Sequence, residues 1–516
     1  MKLFSNWWQS PRTRAFIFIV TAVFVFGIFL IVSASFDSLG FPLDDAWIHQ
    51  TYARNFARSG RWEFIPGVIS GGSTSPLWTL LLAFGYVLRL PYLWWAYALG
   101  FGALLLVGFA TFSMFQTVWP TQKQVGAWAT VAVIGTWPLI WAAASGMETL
   151  LFASMGLYTL SLLLRFLAQP DGNVGLIRIG VFSGLVILIR PDGLLPILLV
   201  FAALVLSPEK RWRHLLLYGV TITAVLTPYF IFNWSTSGTI WPNTFYAKQA
   251  EYAVLLETFI GQRFIQLLYF SLGGASTGWQ GISAAHLLLF PGLIWAGMTA
   301  LRQDWQQKRL YMTIPLLWAG GHILLYAWRL PLSFQHGRYL MAATPVWIIY
   351  GFAGWALLWQ MVALAERFKW MLKQTGILTY ALLTILFLFF GAQAYARDVA
   401  FIENEMVNIA QYIDDNLPED AILASHDIGA IGYFAERPLL DLAGLISPEI
   451  VPYISNETEL AEYVLQSSAS YLVTAPGWPY EEIVVNGRVQ PIYSSNYPFT
   501  RENGLNNMTI YLLEAP

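Results

Sequence analysis

The sequence of 516 residues contains no cysteine. Disulfide bonds, thiolate metal sites and redox chemistry on protein sulfur are therefore excluded, and any exported part of the chain must be stable without covalent cross-links. Charged residues make up only 11% of the sequence, and the formal net charge is -2, whereas soluble domains carry about 25% charged residues. The chain thus lacks the basic surface that nucleic acid would require, and we expect no nucleic-acid partner.

Motifs of several common enzyme classes are also missing. The sequence contains no HExxH and no GxxxxGK[ST], so a zinc protease and a nucleotide hydrolase have no support. The glycines of "IGAIGYF" (428–434) lack the GxGxxG spacing, and no strand–helix–strand pattern surrounds them. We interpret this stretch as a turn followed by a helix that packs on the rest of the protein.

Apolar sequence is abundant, with 57% hydrophobic residues, 24 Trp, 25 Tyr and 35 Phe. This composition indicates a protein that crosses a membrane several times. The apolar runs predict about eleven transmembrane helices, at 15–36, 93–119, 125–143, 149–167, 177–189, 193–207, 215–232, 283–301, 310–328, 339–359 and 375–395. Residues 76–88 are apolar but too few to cross a bilayer, and we interpret them as an interfacial or re-entrant segment.

Lysine and arginine set the predicted orientation of these helices. The first run lacks a signal-peptide cleavage site and follows Lys2, Arg12 and Arg14, which predicts a retained helix with a cytoplasmic N-terminus. The positive-inside rule places three short connections in the cytoplasm as well, namely those with Lys210, Arg211 and Arg213, with Arg302, Lys308 and Arg309, and with Arg367, Lys369 and Lys373. The remaining polar loops then share the extracytoplasmic side.

Two domains follow from this arrangement. Residues 1–396 form an α-helical polytopic membrane domain, with a first outer loop at 37–75 and a second large outer loop at 233–282. Residues 397–516 are polar enough to form an extracytoplasmic α/β domain. Its helices are predicted at "NEMVNIAQYIDDNLPED" and "TELAEYVLQ", and its strands at "AILAS", "PLLDL", "YLVTA" and "NMTIYLLE".

Two adjacent acids, Asp44 and Asp45, follow the first apolar run and open a predicted helix. Asp45, His49, Tyr52 and Phe56 share one face of that helix, which suits polar hydroxyl groups. The opposite face carries Arg54, Arg58 and Arg61, which suit lipid phosphates. Either acid alone is also a favoured N-cap residue, although a cap requires only one acid.

Other polar side chains lie at the margins of apolar runs, where ionisable groups mark a site by default. Arg190 and Asp192 either pair across Pro191 or contact a substrate, and Glu148 either binds substrate or caps the helix after it. The loop "SGGSTSPLW" (70–78) either cradles an anion with its amides or simply connects two segments. Two further groups, Trp241, Asn243, Tyr246 and Lys248, and His336 and Arg338, suit a sugar or phosphate but also an interfacial aromatic belt or membrane-edge charges.

A divalent cation is a further possibility. Oxygen ligands from Asp44, Asp45 and Glu148, with a histidine, suit Mg²⁺, Mn²⁺ or Ca²⁺. The spacing of these residues does not require a metal.

A set of short motifs occurs in order along nearly the whole chain: "DDAWI", "TSPLW", "SGMETLLF", "RPDGLL", "PNTFYAK", "RYL" and "DIGAIGYF…RPLLDLAGL". Together with an acid in the first outer loop, many short spans and an outer C-terminal domain, this set resembles the GT-C superfamily of integral-membrane glycosyltransferases. Within the superfamily it is similar to the branch of the mycobacterial terminal arabinofuranosyltransferase and its bacterial relatives. The resemblance implies a bacterial inner-membrane enzyme with its active site on the extracytoplasmic side.

The resemblance also implies a reaction and roles for residues. A polyprenyl-phosphate donor gives up a pentofuranose or a hexose to a cell-envelope glycan, glycolipid or protein, and in-line attack by an activated hydroxyl inverts the anomeric centre. Asp44 or Asp45 is the base, a role that typically contributes about 10²–10⁴-fold in rate. Arg190, Lys248, His336 and Arg338 are the candidates for the donor phosphate. The candidates for the sugar or acceptor pocket are His49, Tyr52, Glu148, Asp192, Trp241, Asn243 and Tyr246.

Two other classes of function stay open. A transporter or flippase for lipid-linked saccharides would carry ionisable residues on both sides of the membrane midplane and often has inverted repeats, and the sequence shows neither feature. A scaffold without activity would use the outer domain to bind envelope polymers.

Overall fold

A computed structural model describes residues 10–206, 212–276, 281–361, 363, 365–476, 481–485 and 489–513. Lys2, Lys210 and Arg211, which enter the predicted orientation, lie outside these ranges, as does residue 207 at the end of one predicted span. Among the described residues, the α-helices of more than four residues in the membrane unit are α1 (Pro11–Phe36), α2 (Asp45–Ser59), α3 (Pro76–Val87), α4 (Tyr92–Val118), α5 (Lys123–Ile134), α6 (Trp137–Ala144), α7 (Thr149–Ala168), α8 (Asn173–Ile189), α9 (Leu194–Leu206), α10 (Trp212–Ser237), α11 (Asn243–Glu251), α12 (Ile260–Ser271), α13 (Phe290–Gln307), α14 (Ile314–Arg329), α15 (Thr344–Met361) and α16 (Glu366–Ile402).

The apolar helices make the chain a multi-pass membrane protein. In the described part of the chain, seven helical segments are long and apolar enough to cross a membrane, and the bent pair α5 and α6 counts as an eighth if it is one span. Each of the eleven predicted spans coincides with a helix or with this pair. Helix α3, at 12 residues, is shorter than the roughly 20 residues of a crossing, in keeping with its interpretation as a partial segment.

The chain breaks between α8 and α9 for a local reason. A proline disfavours helical backbone at the residue before it, and Arg190, before Pro191, is extended at φ -155° and ψ 141°. The three-residue 3-10 turn Pro191–Gly193 follows, and α9 begins at Leu194. This break within an apolar segment places Arg190 beside Glu148 at the start of α7.

The C-terminal domain is continuous with the last membrane helix. Helix α16 passes through the predicted boundary at 396/397 without a break and continues through a π-helical turn (Glu403–Val407) into α17 (Asn408–Asn416). The buried Glu405 carboxylate in this turn accepts hydrogen bonds from Ser495, Thr500, the Asn507 amide at 2.7 Å and the Met508 N–H at 2.9 Å. The turn thereby ties the helix to the end of the chain.

The domain contains one mixed sheet. Its strands are β1 (Leu423–Ser425), β2 (Leu439–Asp441), β3 (Tyr471–Thr474), β4 (Val489–Ser494) and β5 (Thr509–Leu513), in the order β2-β1-β3-β5-β4. β1 pairs in parallel with β2 and β3, whereas β5 pairs antiparallel with β3 and β4. The other helices are α18 (Gly429–Phe434), α19 (Glu457–Gln466), α20 (Glu481–Val485) and α21 (Pro498–Glu502).

Helix α18, which contains the "IGAIGYF" glycines, packs on α2. Trp47 of α2 is buried against the rings of Tyr433 and Phe434, at centroid distances of 4.9 Å and 4.7 Å. Arg54 donates to the carbonyls of Gly432 and Tyr433, at 3.4 Å and 2.5 Å.

The prediction that the arginine face of α2 meets lipid phosphate is therefore wrong for Arg54. Arg54 is 6% exposed and pairs with Glu436 at 2.8 Å, and Arg58 pairs with the same carboxylate at 2.9 Å. Arg61 pairs with Glu63 at 3.1 Å. Two of the three arginines thus dock the C-terminal domain.

Candidate active site

Most of the polar residues predicted for the site line one cavity of about 110 Å³. They come from α2, from the start of α7, from the break between α8 and α9, from α11 and from the segment after α14. The ionisable residues are three carboxylates and four cations together with one histidine: Asp45, Glu148, Asp192, Arg190, Lys248, Arg329, Arg338 and His49. Leu445 of the C-terminal domain also lines the cavity, so both domains enclose it.

Asp45 lies between two cations. Its Oδ2 accepts a hydrogen bond from Arg338 and lies 3.4 Å from Lys248 Nζ, while Oδ1 has no hydrogen-bond partner among the described residues. Burial alone would raise the pKa of this carboxyl, but Lys248 and Arg338 outweigh burial and hold it well below its usual range. The side chain is 27% exposed, so Asp45 presents an ionised oxygen to the cavity.

Arg338 is the most deeply buried cation of the cavity, with a side chain only 4% exposed. Its Nη2 donates to Asp45 and to the hydroxyl of Tyr339 at 2.8 Å. Its Nε and Nη1 have no hydrogen-bond partner among the described residues. Because a buried donor without a partner costs about 1–3 kcal/mol, two such donors on one cation indicate a place for an anionic ligand.

Arg190 is held by a closed set of partners. It donates to Glu148 Oε1 at 2.7 Å, to Asp192 Oδ2 at 2.9 Å and to the hydroxyl of Tyr326 at 2.8 Å. The first alternative for Arg190 and Asp192 is confirmed, since the two residues pair with each other. Both also line the cavity, and their contact with a substrate stays a prediction. With two carboxylates on it, Arg190 has less charge left for a phosphate than Arg338 has.

His49 and Glu148 face each other in the wall of the cavity. His49 Nε2 and Glu148 Oε2 are 3.6 Å apart, and the two side chains are 5% and 2% exposed. Burial lowers the pKa of His49 although Glu148 acts in the opposite direction, so the ring is neutral near pH 7. His49 Nδ1 lies 3.1 Å from the Thr79 hydroxyl.

Asp44 has a different environment from Asp45 and is not among the described residues that line the cavity. It stands at the N-cap position of α2 but makes no cap hydrogen bond. Its two oxygens instead accept the N–H groups of Gly429 and Ala430, at 2.6 Å and 2.8 Å. Burial and the nearby Asp427 raise the pKa of Asp44 to about 7. Asp44 therefore joins the C-terminal domain to the first outer loop.

The loop at 70–75 is fixed by hydrogen bonds. The Tyr52 hydroxyl accepts the N–H of Gly72 at 3.0 Å and lies 2.7 Å from the Ser70 hydroxyl. The Thr244 hydroxyl donates to the Gly72 carbonyl at 2.5 Å. Tyr52 thus supports the cavity from behind, while Gly72 and Thr244 line it.

Besides Asp44 and Tyr52, four other predicted site residues lie away from the cavity lining. His336 Nε2 is 2.7 Å from Asp398, and the ring packs between Trp137 and Trp141. Trp241 stacks on Phe245 at 5.6 Å, and Tyr246 packs edge-on against the same ring. Asn243 donates its backbone N–H to the Gly71 carbonyl at 3.1 Å. The cation pair of His336 and Arg338 is therefore separated, because Gln335 and His336 both adopt left-handed backbone, at φ 51° and 56°.

Several lining residues escaped the sequence analysis. Arg329 donates to the Phe245 carbonyl at 2.9 Å and lies over the ring of that residue. Tyr326 and Tyr339 support Arg190 and Arg338. Tyr339 directly follows Arg338 in "GRYL", and that adjacency was a usable signal.

Of the three acids proposed as cation ligands, Asp44 and Asp45 do not suit a divalent cation, and Glu148 already pairs with Arg190. Both oxygens of Asp44 accept backbone N–H groups, and Oδ2 of Asp45 already contacts two cations. The described residues contain no group of three or more His, Cys, Asp or Glu side chains that could hold a metal ion. A divalent ion beside Arg338 and Lys248 would meet charge repulsion.

Solved structures with the same architecture were found by comparison. ArnT from Cupriavidus metallidurans in the apo state gives a TM-score of 0.61 at 15% identity, over 96% of this chain and 97% of that one. The same protein bound to undecaprenyl phosphate gives 0.59 at 14% identity, over 97% and 98%. The archaeal oligosaccharyltransferase AglB from Archaeoglobus fulgidus, in complex with an inhibitory peptide and a dolichol-phosphate, gives 0.57 at 12% identity, over 88% and 69%; it is also known in complex with Zn and sulfate.

Comparisons by sequence reach less far. A family described as a domain of unknown function, DUF8728, matches residues 394–511, and no curated protein matches the chain. The similarity to the solved structures nevertheless covers nearly the whole chain in one order of elements. The chain has the GT-C fold, an α-helical membrane domain followed by a small C-terminal α/β domain.

Proposed function

We propose that this chain is an integral-membrane glycosyltransferase that moves a sugar from a polyprenyl-phosphate donor to a cell-envelope acceptor. The observation that carries the proposal is Arg338, a buried cation in the cavity beside the ionised Asp45. Two of its nitrogens have no hydrogen-bond partner in the part of the chain that the structure describes. An anion and a hydroxyl group are the two ligands that this pair can serve at once. The fold shared with ArnT bound to undecaprenyl phosphate and with AglB bound to a dolichol-phosphate supports a lipid phosphate as the anion.

The reaction assigns a step to each group. Arg338 and Lys248 bind the donor phosphate, and Asp45 Oδ1 accepts the proton of the acceptor hydroxyl as the oxygen attacks the anomeric carbon. The bond from that carbon to the phosphate oxygen breaks, and polyprenyl phosphate leaves with the electron pair. Attack in line with the leaving group inverts the anomeric centre.

Donor binding also prepares the base. In the free protein the two cations depress the pKa of Asp45, which makes its carboxylate a weak base. A bound phosphate shares the charge of Arg338 and Lys248, so the pKa of Asp45 rises toward a value suited to proton transfer. The base therefore becomes effective only when a donor is in place.

The finer assignments rest on the resemblance in the sequence. We assign the protein to the branch of the arabinofuranosyltransferases, with a pentofuranose or a hexose as the sugar and a glycan, glycolipid or protein as the acceptor. The site and the C-terminal domain face the extracytoplasmic side of a bacterial inner membrane, since the predicted cytoplasmic loops carry the lysines and arginines.

Assays of donor binding and of sugar transfer distinguish the role of Asp45 from that of Arg338. In reconstituted protein, with synthetic polyprenyl-phosphate pentose and hexose donors, Asp45→Asn lowers transfer by about 10²–10⁴-fold while the donor still binds, because only the proton acceptor is lost. Arg338→Gln weakens binding of plain polyprenyl phosphate by about tenfold or more, because charged hydrogen bonds are lost. Transfer is measured from labelled donor, and binding by titration.

Asp37→Asn is the matched control, since Asp37 is an exposed acid of the same outer loop and is not among the lining residues. This variant keeps full transfer. Full transfer by Asp45→Asn would refute the assignment of the base. Movement of the donor across a bilayer without transfer of any sugar would establish a flippase instead.

A further inference from the structure

The wall of the cavity contains a second unsatisfied group, of opposite charge to Arg338. Glu148 lines the cavity with its side chain 2% exposed, and its Oε2 makes no hydrogen bond to any described residue. Its Oε1 is occupied by Arg190 at 2.7 Å, so the charge of the carboxylate is already balanced. An acceptor atom buried in this way indicates a ligand group that donates a hydrogen bond.

The partner across the gap supplies a donor. If His49 Nδ1 accepts from the Thr79 hydroxyl at 3.1 Å, the proton of the neutral ring is on Nε2, toward the negative Glu148. With the proton on Nδ1 instead, a lone pair on Nε2 would face the negative carboxylate of Glu148, which is repulsive. The 3.6 Å from Nε2 to Oε2 is too long for a direct hydrogen bond, yet one oxygen atom beside the gap can lie within hydrogen-bond distance of both atoms.

We propose that His49 and Glu148 form a subsite that binds one hydroxyl group of the donor sugar. A hydroxyl accepts from His49 Nε2–H and donates to Glu148 Oε2, so it satisfies both atoms. A hydrogen atom in its place satisfies neither, and an ammonium group has no lone pair for the histidine N–H. The subsite therefore selects a sugar with a free hydroxyl at this position against its deoxy and amino analogues.

Its location fits the sugar rather than the lipid phosphate. His49 follows Asp45 by one turn of α2, which places the two side chains on the same face, about 5–6 Å apart at Cβ. His49 is also more buried than Asp45, at 5% against 27% of the side chain exposed. The subsite thus lies beside the base. Arg338 and Lys248 are cations that suit a phosphate, whereas the subsite offers a carboxylate oxygen and a neutral ring and suits a hydroxyl group. This inference rests on the proposed function, because it takes the ligand to be a polyprenyl-phosphate sugar.

The test compares plain polyprenyl phosphate with polyprenyl-phosphate pentose and hexose donors and with the monodeoxy and amino analogues of each. In the wild-type protein one deoxy position loses about 10–100-fold in affinity, the range for a hydrogen bond to a charged group. Glu148→Gln lowers affinity for the intact donor by about the same factor and brings the ratio of intact to deoxy donor close to one. Affinity for plain polyprenyl phosphate does not fall, because that ligand has no sugar and the charge released on Arg190 favours an anion.

A second variant and a control guard against misfolding. His49→Phe removes the N–H donor, and its selectivity is lost at the same hydroxyl position as in Glu148→Gln. Glu63→Gln changes another buried glutamate, 3% exposed and not among the described lining residues, and keeps the wild-type ratio. An unchanged ratio in Glu148→Gln, or tighter binding of an amino analogue by the wild type, would overturn the subsite. Selective binding without any transfer would refute the proposed function but leave the subsite standing.

Discussion

Two neighbouring carboxyl groups in this protein have opposite properties because their neighbours differ. Asp45 meets Lys248 and Arg338, which keep it ionised. Asp44 is buried beside Asp427, and its pKa rises to about 7 even though two backbone N–H groups favour the charged form. The same residue type thus serves the cavity at one position and the contact between domains at the next.

This difference predicts a dependence of stability on pH. In an unfolded chain the carboxyl of Asp44 has a pKa of about 3.9, so between that value and about 7 the folded protein holds the extra proton. The free energy of unfolding therefore falls as the pH rises through this window. Asp44→Asn has no such proton, so its melting temperature rises relative to that of the wild type between about pH 5 and pH 7. Thermal unfolding in detergent measures this shift.

Asp45→Asn provides the comparison for that experiment. Because the pKa of Asp45 lies below its usual range in the folded protein, this carboxyl is ionised in both states above about pH 5. The difference in melting temperature between Asp45→Asn and the wild type then stays constant between about pH 5 and pH 7. If the difference in melting temperature between Asp44→Asn and the wild type were also constant, the raised pKa of the buried Asp44 would be contradicted.

At the scale of elements, helix α18 is held at both ends by α2. The Asp44 carboxylate binds N–H groups at its first turn, and the Arg54 guanidinium binds carbonyls at its last turn. Above about pH 7, where Asp44 is ionised, its negative charge at the start of the helix and the positive charge of Arg54 at the end both complement the helix dipole. Asp44 and Arg54 therefore orient α18 although it lies far away in the sequence. The hydrogen-bonded residues are separated by 385 positions at the start of α18 and by 379 positions at its end.

Gly429 is the position at which this contact is most sensitive. A Cβ atom there would lie 2.1 Å from the Asp44 carbonyl oxygen and 2.6 Å from its Oδ2. Gly429→Ala is expected to cost about 1–3 kcal/mol, because backbone atoms must move to admit the methyl group. The C-terminal domain then becomes more sensitive to proteolysis, which a time course with a membrane-impermeant protease measures.

Gly376→Ala is the control for that substitution. Gly376 lies in α16, and a Cβ atom there would meet nothing within 4 Å. Alanine in an open helical position is neutral or stabilising by about 0.5–1 kcal/mol. Equal proteolysis of both variants and the wild type would show that the Gly429 contact does not hold the domain.

The elements themselves were largely predictable. Four of the five strands coincide with short apolar segments of the sequence, and each apolar run coincides with a helix. The remaining strand, β4 (Val489–Ser494), was missed because it contains Pro491 and does not alternate between buried and exposed residues. Proline is compatible with a strand at the edge of a sheet, and among the described strands β4 pairs with β5 alone.

The site was predictable where topology alone determines position. Seven candidates line the cavity, and all come from loops or helix ends that the charge pattern places on one side: Asp45, His49, Glu148, Arg190, Asp192, Lys248 and Arg338. His336 could not be placed in this way, because a left-handed turn of two non-glycine residues decides its direction. The different roles of Asp44 and Asp45 depend on contacts with the C-terminal domain, which no local pattern reveals.

At the scale of the whole molecule, the missing cysteines allow a direct test of orientation. A single cysteine at Glu502 on the C-terminal domain, or at Gln306 near the end of α13, is then the only thiol in the chain, and both positions are exposed. The arrangement of lysine and arginine predicts that a membrane-impermeant maleimide labels Glu502→Cys on intact cells. Gln306→Cys is labelled only after the membrane is permeabilised.

Each of these two positions serves as the control for the other. The reverse pattern of labelling would invert the protein and place its cavity in the cytoplasm. Labelling of both positions on intact cells would show that the membrane was not sealed, and the experiment is then repeated with sealed spheroplasts.

Helix α16 has 37 residues, which span about 55 Å at 1.5 Å per residue, against a hydrocarbon thickness of about 30 Å. The helix thus emerges well beyond the bilayer before its π-helical turn carries the chain into the domain. Each residue of a helix adds about 100° of rotation. The number of residues in α16 therefore sets how far the C-terminal domain is rotated about the axis of this helix. An insertion or deletion of one residue in α16 would rotate α18 away from its contact with α2. Related proteins should therefore keep the length of this helix more strictly than the lengths of their loops.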